Sequence, residues 1–173
     1  MRPILTALAL TTALSTSAFA QNKMDNDDIS AMKQLAQADL SEIAAGKTAA
    51  EKAQSPDVKK FGQKMVDDHT KMLADLRALA KKKSVALPQD PDMKDMAQMK
   101  IMEHKSGAEF DKDYMEHMVK DHEKDVKDTE NIAAKAKDPQ FKSAVQQANA
   151  KIREHLQLAQ RVAQNAGAGS TSK

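Results

Sequence analysis

An all-α fold, an antiparallel bundle of four long helices, is what this sequence predicts, and three observations predict it. Apolar residues recur at spacings of three and four along four long stretches. No stretch of useful length alternates with period two. The five prolines and five glycines are sparse and stand mostly where helices would end. The 173 residues, 40% hydrophobic and 30% charged, suit one ordinary soluble domain. A formal net charge of +2 gives no reason to expect nucleic acid as a partner. The aromatic content of 3%, without Trp, supplies few stacking surfaces for bases or sugars. The absence of cysteine excludes a disulfide framework, a thiolate zinc site, an iron–sulfur cluster and a thiol nucleophile.

Residues 1–20 read as a signal peptide: basic Arg2, an apolar stretch from Ile4 to Leu14, and Ala18-Phe19-Ala20 as a small-x-small cleavage site before Gln21. The apolar stretch is too short to cross a bilayer. The expectation is therefore an exported chain, periplasmic or envelope-associated, with no transmembrane segment once the leader is removed. Residues 21–26 read as a flexible lead-in, 27–166 as the bundle and 167–173 as a flexible tail.

The first long helix, roughly 27–53, has the poorest stripe: Leu35, Asp39, Glu42, Gly46 and Ala49 share a face, with Ile29, Met32 and Ile43 beside it. Ser55-Pro56 caps and opens the second, roughly 56–83, because a proline at the first helical position sacrifices no hydrogen bond. Its stripe runs Val58, Phe61, Met65, Met72, Leu76 and Leu79, with His69 in the one gap. Leu87 to Pro91 is extended, and a short extra helix near 92–105 completes the connection between the second and third long helices. Ser106 and Glu109 spell a capping box for the third, roughly 107–137, whose stripe of Met115, Met118, Val126, Thr129 and Ala133 is filled by His122. Asp138-Pro139 opens the fourth, roughly 139–166, where His155 fills the gap among Phe141, Val145, Ala148, Ile152, Ala159 and Val162.

Each seam thus carries a polar residue near its middle, and counting places them at one level. Glu42 lies 13 residues before Ser55 and His69 lies 14 after it, and His122 and His155 stand 16 before and 17 after Asp138. At about 1.5 Å per residue both pairs fall near the centre of helices about 40 Å long. One carboxylate and three imidazoles converging there could bind a single divalent Zn, Fe, Mn or Cu ion. The alternative is a structural or partner-binding bundle whose polar layer is satisfied internally, with Asp39 as a further acceptor.

The blocks QKMVDDH at 63–69, SGAEFDKDY at 106–114 and REHLQLA at 153–159, in this order behind an export signal, resemble the DUF4142 family of exported bacterial proteins. The resemblance implies a ferritin-like four-helix bundle, with Glu42, His69, Asp111, Tyr114, His122 and His155 on the family's recurrent polar positions. It also implies an envelope-associated stress role. Asp111 and Tyr114 then join Asp39 as side chains that would support the metal ligands. One departure limits the ferritin analogy. A di-iron centre takes Glu-x-x-His from each of two helices, and here Val66, Val119 and Ile152 stand three before the histidines. Ferroxidase chemistry is not expected, and no nucleophile–base pair of recognisable spacing indicates an enzyme.

Every histidine follows an acid, but neighbours on a helix point about 100° apart, so these acids are not expected to share the layer. His104 and His117 fall off the seams and read as solvated. Met93, Met96, Met99 and Met102 recur every third residue, which raises a second metal reading, a Cu(I) carrier using thioethers. Steps of three on an α-helix spread the four sulfurs around it, which favours a packing role for them.

Overall fold

The computed structural model describes residues 24–168. The leader at 1–20, the outer part of the 21–26 lead-in and the end of the tail lie outside the described residues. Five helices form: α1 (Asn26–Lys52), α2 (Pro56–Lys82), α3 (Met93–Glu103), α4 (Gly107–Lys135) and α5 (Pro139–Ala168). The four long ones and the short extra one stand where the apolar spacing and the punctuation put them. Among the described residues no helix is long and apolar enough to cross a membrane.

Of the caps the spelling suggests, Asp138 forms while Ser55 and Ser106 do not. Asp25 caps α1 by accepting from the Asp27 amide at 3.0 Å, and Met24 is buried, so capping and core packing reach into the expected flexible lead-in. Asp138 caps α5 through the amides of Gln140 and Phe141. Neither Ser55 nor Ser106 makes a side-chain cap. Around Ser55 the work falls to a residue from the other half of the chain. Asp111, near the start of α4, accepts from the amides of Gln54 at 2.9 Å and Ser55 at 2.7 Å.

The opposite end carries the same device. Asp28, near the start of α1, accepts from the amides of Lys137 at 3.1 Å and Asp138 at 2.8 Å. Each hairpin therefore pins the turn of the other with a buried carboxylate, and charge-assisted bonds to otherwise orphaned amides are among the stronger kinds. These ties fix the topology. The turn between α1 and α2 lies beside the start of α4, and the turn between α4 and α5 lies beside the start of α1. The two hairpins are antiparallel to each other, so the connection from α2 to α4 must travel the length of the bundle. Its helix α3 packs against α1 and α4, with Ser41 donating to Asp95 at 2.8 Å and with Met99 and Met102 buried.

The core comes in two apolar halves. One, toward the α1–α2 turn, holds Phe61, Met65, Phe110, Tyr114, Met115 and Met118. The other, toward the α4–α5 turn, holds Met32, Leu73, Leu76, Phe141 and Val145. The polar layer lies between them. The buried face of α1 is built of small residues, Ala36, Ala45, Gly46 and Ala49, because α1 and α2 approach backbone to backbone there. A Cβ placed on Gly62 would stand 2.7 Å from the Gly46 carbonyl oxygen and 2.8 Å from Ala49 Cβ.

That contact yields a prediction whose sign opposes helix propensity. Gly62→Ala should gain about 1 kcal/mol of propensity, yet overpacking against backbone atoms costs more. Urea unfolding should show a net loss of about 1–2 kcal/mol. A net gain would mean that the helices part without penalty.

Candidate metal centre

His69 on α2, His122 on α4 and His155 on α5 meet at the junction of the two core halves, and none is more than 3% exposed. Their ring centroids lie 5.2 Å apart for His69–His155, 5.6 Å for His122–His155 and 6.1 Å for His69–His122. One ring nitrogen from each lies within 4.8 Å of the other two.

Hydrogen bonding determines what those nitrogens present. Nδ1 of His69 lies 2.9 Å from Asp39 Oδ1, Nδ1 of His122 lies 2.9 Å from the Met118 carbonyl oxygen, and Nε2 of His155 lies 2.7 Å from Asp68 Oδ2. A carbonyl or carboxylate oxygen accepts, so each of these nitrogens carries the proton and donates. The other nitrogen of each ring therefore holds a lone pair. Those atoms are His69 Nε2, His122 Nε2 and His155 Nδ1, and none meets a hydrogen-bond partner among the described residues. With all three rings neutral, these buried lone pairs cannot satisfy each other, because none has a proton to give.

The charges follow from burial. Burial, then the neighbouring His69, pushes the pKa of His122 down to about 4. Burial also takes His155 down to about 4, against its bond to Asp68 and with the other two imidazoles adding to the fall. His69 goes the other way, since Asp39 and Glu42 outweigh its burial. Glu42 is 5% exposed, and burial lifts its carboxyl to about 7, against the attraction of His69. Burial and then Glu42 lift Asp125 to about 6. His122 and His155 are thus neutral near pH 7, the form a metal ligand requires.

The expected site residues fall into distinct places. His69, His122 and His155 come together. Glu42 reaches the same layer but faces the protonated edge of His122, with Oε1 at 3.9 Å from Nδ1, and its Oε2 has no hydrogen-bond partner. Asp39 orients His69. Asp111 lies at the end of the bundle, holding the α1–α2 turn, because it sits only one turn into α4. Tyr114 is fully buried, stacked on Phe110 and edge-on to Phe61, and burial holds its phenol well above the ordinary range. Its hydroxyl makes no hydrogen bond among the described residues. The methionine run divides: Met93 and Met96 are exposed while Met99 and Met102 are buried, so the four sulfurs do not converge.

Two acids that spacing assigned to no role belong here. Asp68, one residue before His69, points along the flank of α2 toward α5 and fixes His155. Asp125 shares the inner side of α4 with His122, and its position three residues on was a legible signal. His117 is half-buried and lies 2.9 Å from Asp121, rather than solvated, while His104 is exposed as expected.

A family model described as "Domain of unknown function (DUF4142)" matches residues 13–162. No curated protein matches the chain. Three solved structures share the fold. A DUF305 fragment from Deinococcus radiodurans is 12% identical with a TM-score of 0.71, covering 82% of this chain and 98% of its own. A putative spore coat protein from Bacillus halodurans C-125 is 11% identical with a TM-score of 0.70, covering 83% and 90%. CopM in the Cu(II)-bound form is 15% identical with a TM-score of 0.64, covering 80% and 96%. At these identities the likeness is one of fold.

The raised carboxyl of Glu42 gives the metal-free chain a definite pH dependence. Between its ordinary 4.5 and about 7 the folded state binds a proton that the unfolded state has released, so this residue's contribution to stability falls as pH rises. Glu42→Gln should therefore stabilise the metal-free protein at pH 8 by about 2–3 kcal/mol in urea unfolding, and hardly at all at pH 4.5. An equal effect at both pH values would show that Glu42 is not buried as an anion.

Proposed function

The chain belongs to the DUF4142 family, and from that premise we propose that it holds one divalent transition-metal ion, Cu²⁺ or Zn²⁺, on His69, His122 and His155. The observation that carries this reading is the set of three unpartnered imidazole lone pairs in one buried layer, each fixed by a hydrogen bond from the far side of its ring. That arrangement is how proteins orient histidines for a metal, with the outer bond setting the tautomer and raising ligand basicity. Ligands about 2.0–2.1 Å from one ion lie about 3.4 Å apart, so the rings would draw inward by about an ångström on binding. Imidazole donors suit Cu²⁺ and Zn²⁺, and the former binds more tightly at a given site. CopM, a fold neighbour, is known in a Cu(II)-bound form, which is compatible with this reading.

The net charge of such a centre supports a single ion. Three neutral imidazoles bring no charge, and Glu42, Asp39 and Asp68 stand close enough to balance one dication. They are too few and too engaged with the histidines to bridge two. The role is metal handling rather than catalysis, and Ala18-Phe19-Ala20 before Gln21 leads us to place it in the cell envelope after removal of the leader.

Calorimetric titration of the mature chain should give one Cu²⁺ or Zn²⁺ per protein. His69→Ala and His155→Ala should each weaken binding at least a hundredfold, and Asp68→Ala by about 10–100-fold through loss of ring orientation. Met99→Leu with Met102→Leu should leave that binding unchanged. Wild-type protein that binds neither ion would make the layer a structural device satisfied in another way.

A further inference from the structure

Of the three imidazoles, His69 lies on the wall of a cavity that opens to solvent, while His122 and His155 stand behind it. A cavity of about 530 Å³ reaches His69 from a rim that includes the exposed residues Gln34, Lys94 and Lys124. Nine carboxylates and four lysines line it, so its field is negative. The lysines are largely taken up at the periphery: Lys71 pairs with Asp75 at 2.7 Å, Lys124 with Asp128 at 2.7 Å and Lys151 with Glu154 at 2.6 Å. Further along, the lining passes Asp121, half-exposed and paired with His117, and then Asp125, to reach Glu42. Glu42 is the innermost of these, 95% buried, with Oε2 bare of any hydrogen bond among the described residues.

Like charges held together inside a low-dielectric cleft attract counter-ions far more strongly than the same charges on an open surface. Resting on the reading that the imidazoles hold a metal, we propose that this cavity is the route by which a hydrated divalent cation reaches them. Asp121 and Asp125 draw the cation in, and Glu42 takes it at the inner end and passes it to His69. The route explains an otherwise costly feature: a carboxylate buried in the core beside the imidazoles without being aimed at their lone pairs. It also gives α3 a position with consequence, since Asp95 and Met99 form part of the wall and the Ser41–Asp95 bond holds that wall to α1.

Stopped-flow mixing of the mature chain with Zn²⁺, followed by a chromophoric chelator, tests the route, and a chelator chase gives the release rate. Asp121→Asn combined with Asp125→Asn should slow capture about tenfold at low ionic strength. The difference should shrink in 0.5 M salt, where the Debye length is about 4–5 Å. Release should stay within about twofold of wild type, because neither residue is placed as a ligand. Gln37→Lys puts a positive charge on the cavity wall without removing a carboxylate, and should slow capture in the same salt-dependent way. It serves as the test if the double variant does not fold. Unchanged capture rates in both variants overturn the route and leave the metal centre standing. Faster release with unchanged capture also overturns it, by making these carboxylates ligands. Failure of the wild type to take up Zn²⁺ or Cu²⁺ removes the metal reading itself, and the route with it.

Discussion

Three imidazoles are each held by one nitrogen from outside the layer, and that constraint gives the centre of this bundle its character. A buried histidine with a single acceptor has its tautomer chosen for it. When Asp39, Asp68 and the Met118 carbonyl take the three protons, the remaining lone pairs are left facing inward. Nothing apolar can complete such a layer, and no neutral neighbouring imidazole can donate to it. The cost of burying unpartnered acceptors, about 1–3 kcal/mol each, is difficult to explain as a purely structural choice.

The layer depends on vertical register, which the two cross-pinned turns supply. Asp28 and Asp111 occupy equivalent places in the two hairpins, each one turn into the first helix of its pair and each bonded to the turn of the other. Sliding one hairpin by a helical turn would move its histidines by about 5.4 Å and break both sets of bonds. The Gly46–Gly62 approach fixes the remaining degree of freedom, the distance between α1 and α2, and so how far Asp39 and Glu42 stand from His69.

The two apolar halves are unequal in kind. The half beneath α3 is rich in methionine and aromatic rings, with Met99 and Met102 filling the space between the crossing connection and the long helices. Unbranched thioether side chains suit that irregular junction. The other half, away from α3, is mainly aliphatic and more regular.

Much of this was legible in the chain itself. Helical spacing, proline-led starts and the one polar gap in each seam determine five helices, their boundaries and the level at which His69, His122 and His155 sit, because periodicity and rise per residue are local properties. Spacing also showed that no Glu-x-x-His pair was present. What a one-dimensional pattern lacks is which flanks become neighbours. Asp68 reads as a surface acid until α5 is known to lie beside α2, and then it is the partner of His155. Asp111 reads as part of the site until the turn it holds is known to lie at the bundle's end. Glu42 shares the level of the histidines but not the direction of their lone pairs. Rotation of each helix about its axis and the order of helices around the bundle are set by packing and by the Asp28 and Asp111 ties, and only the tertiary structure decides them.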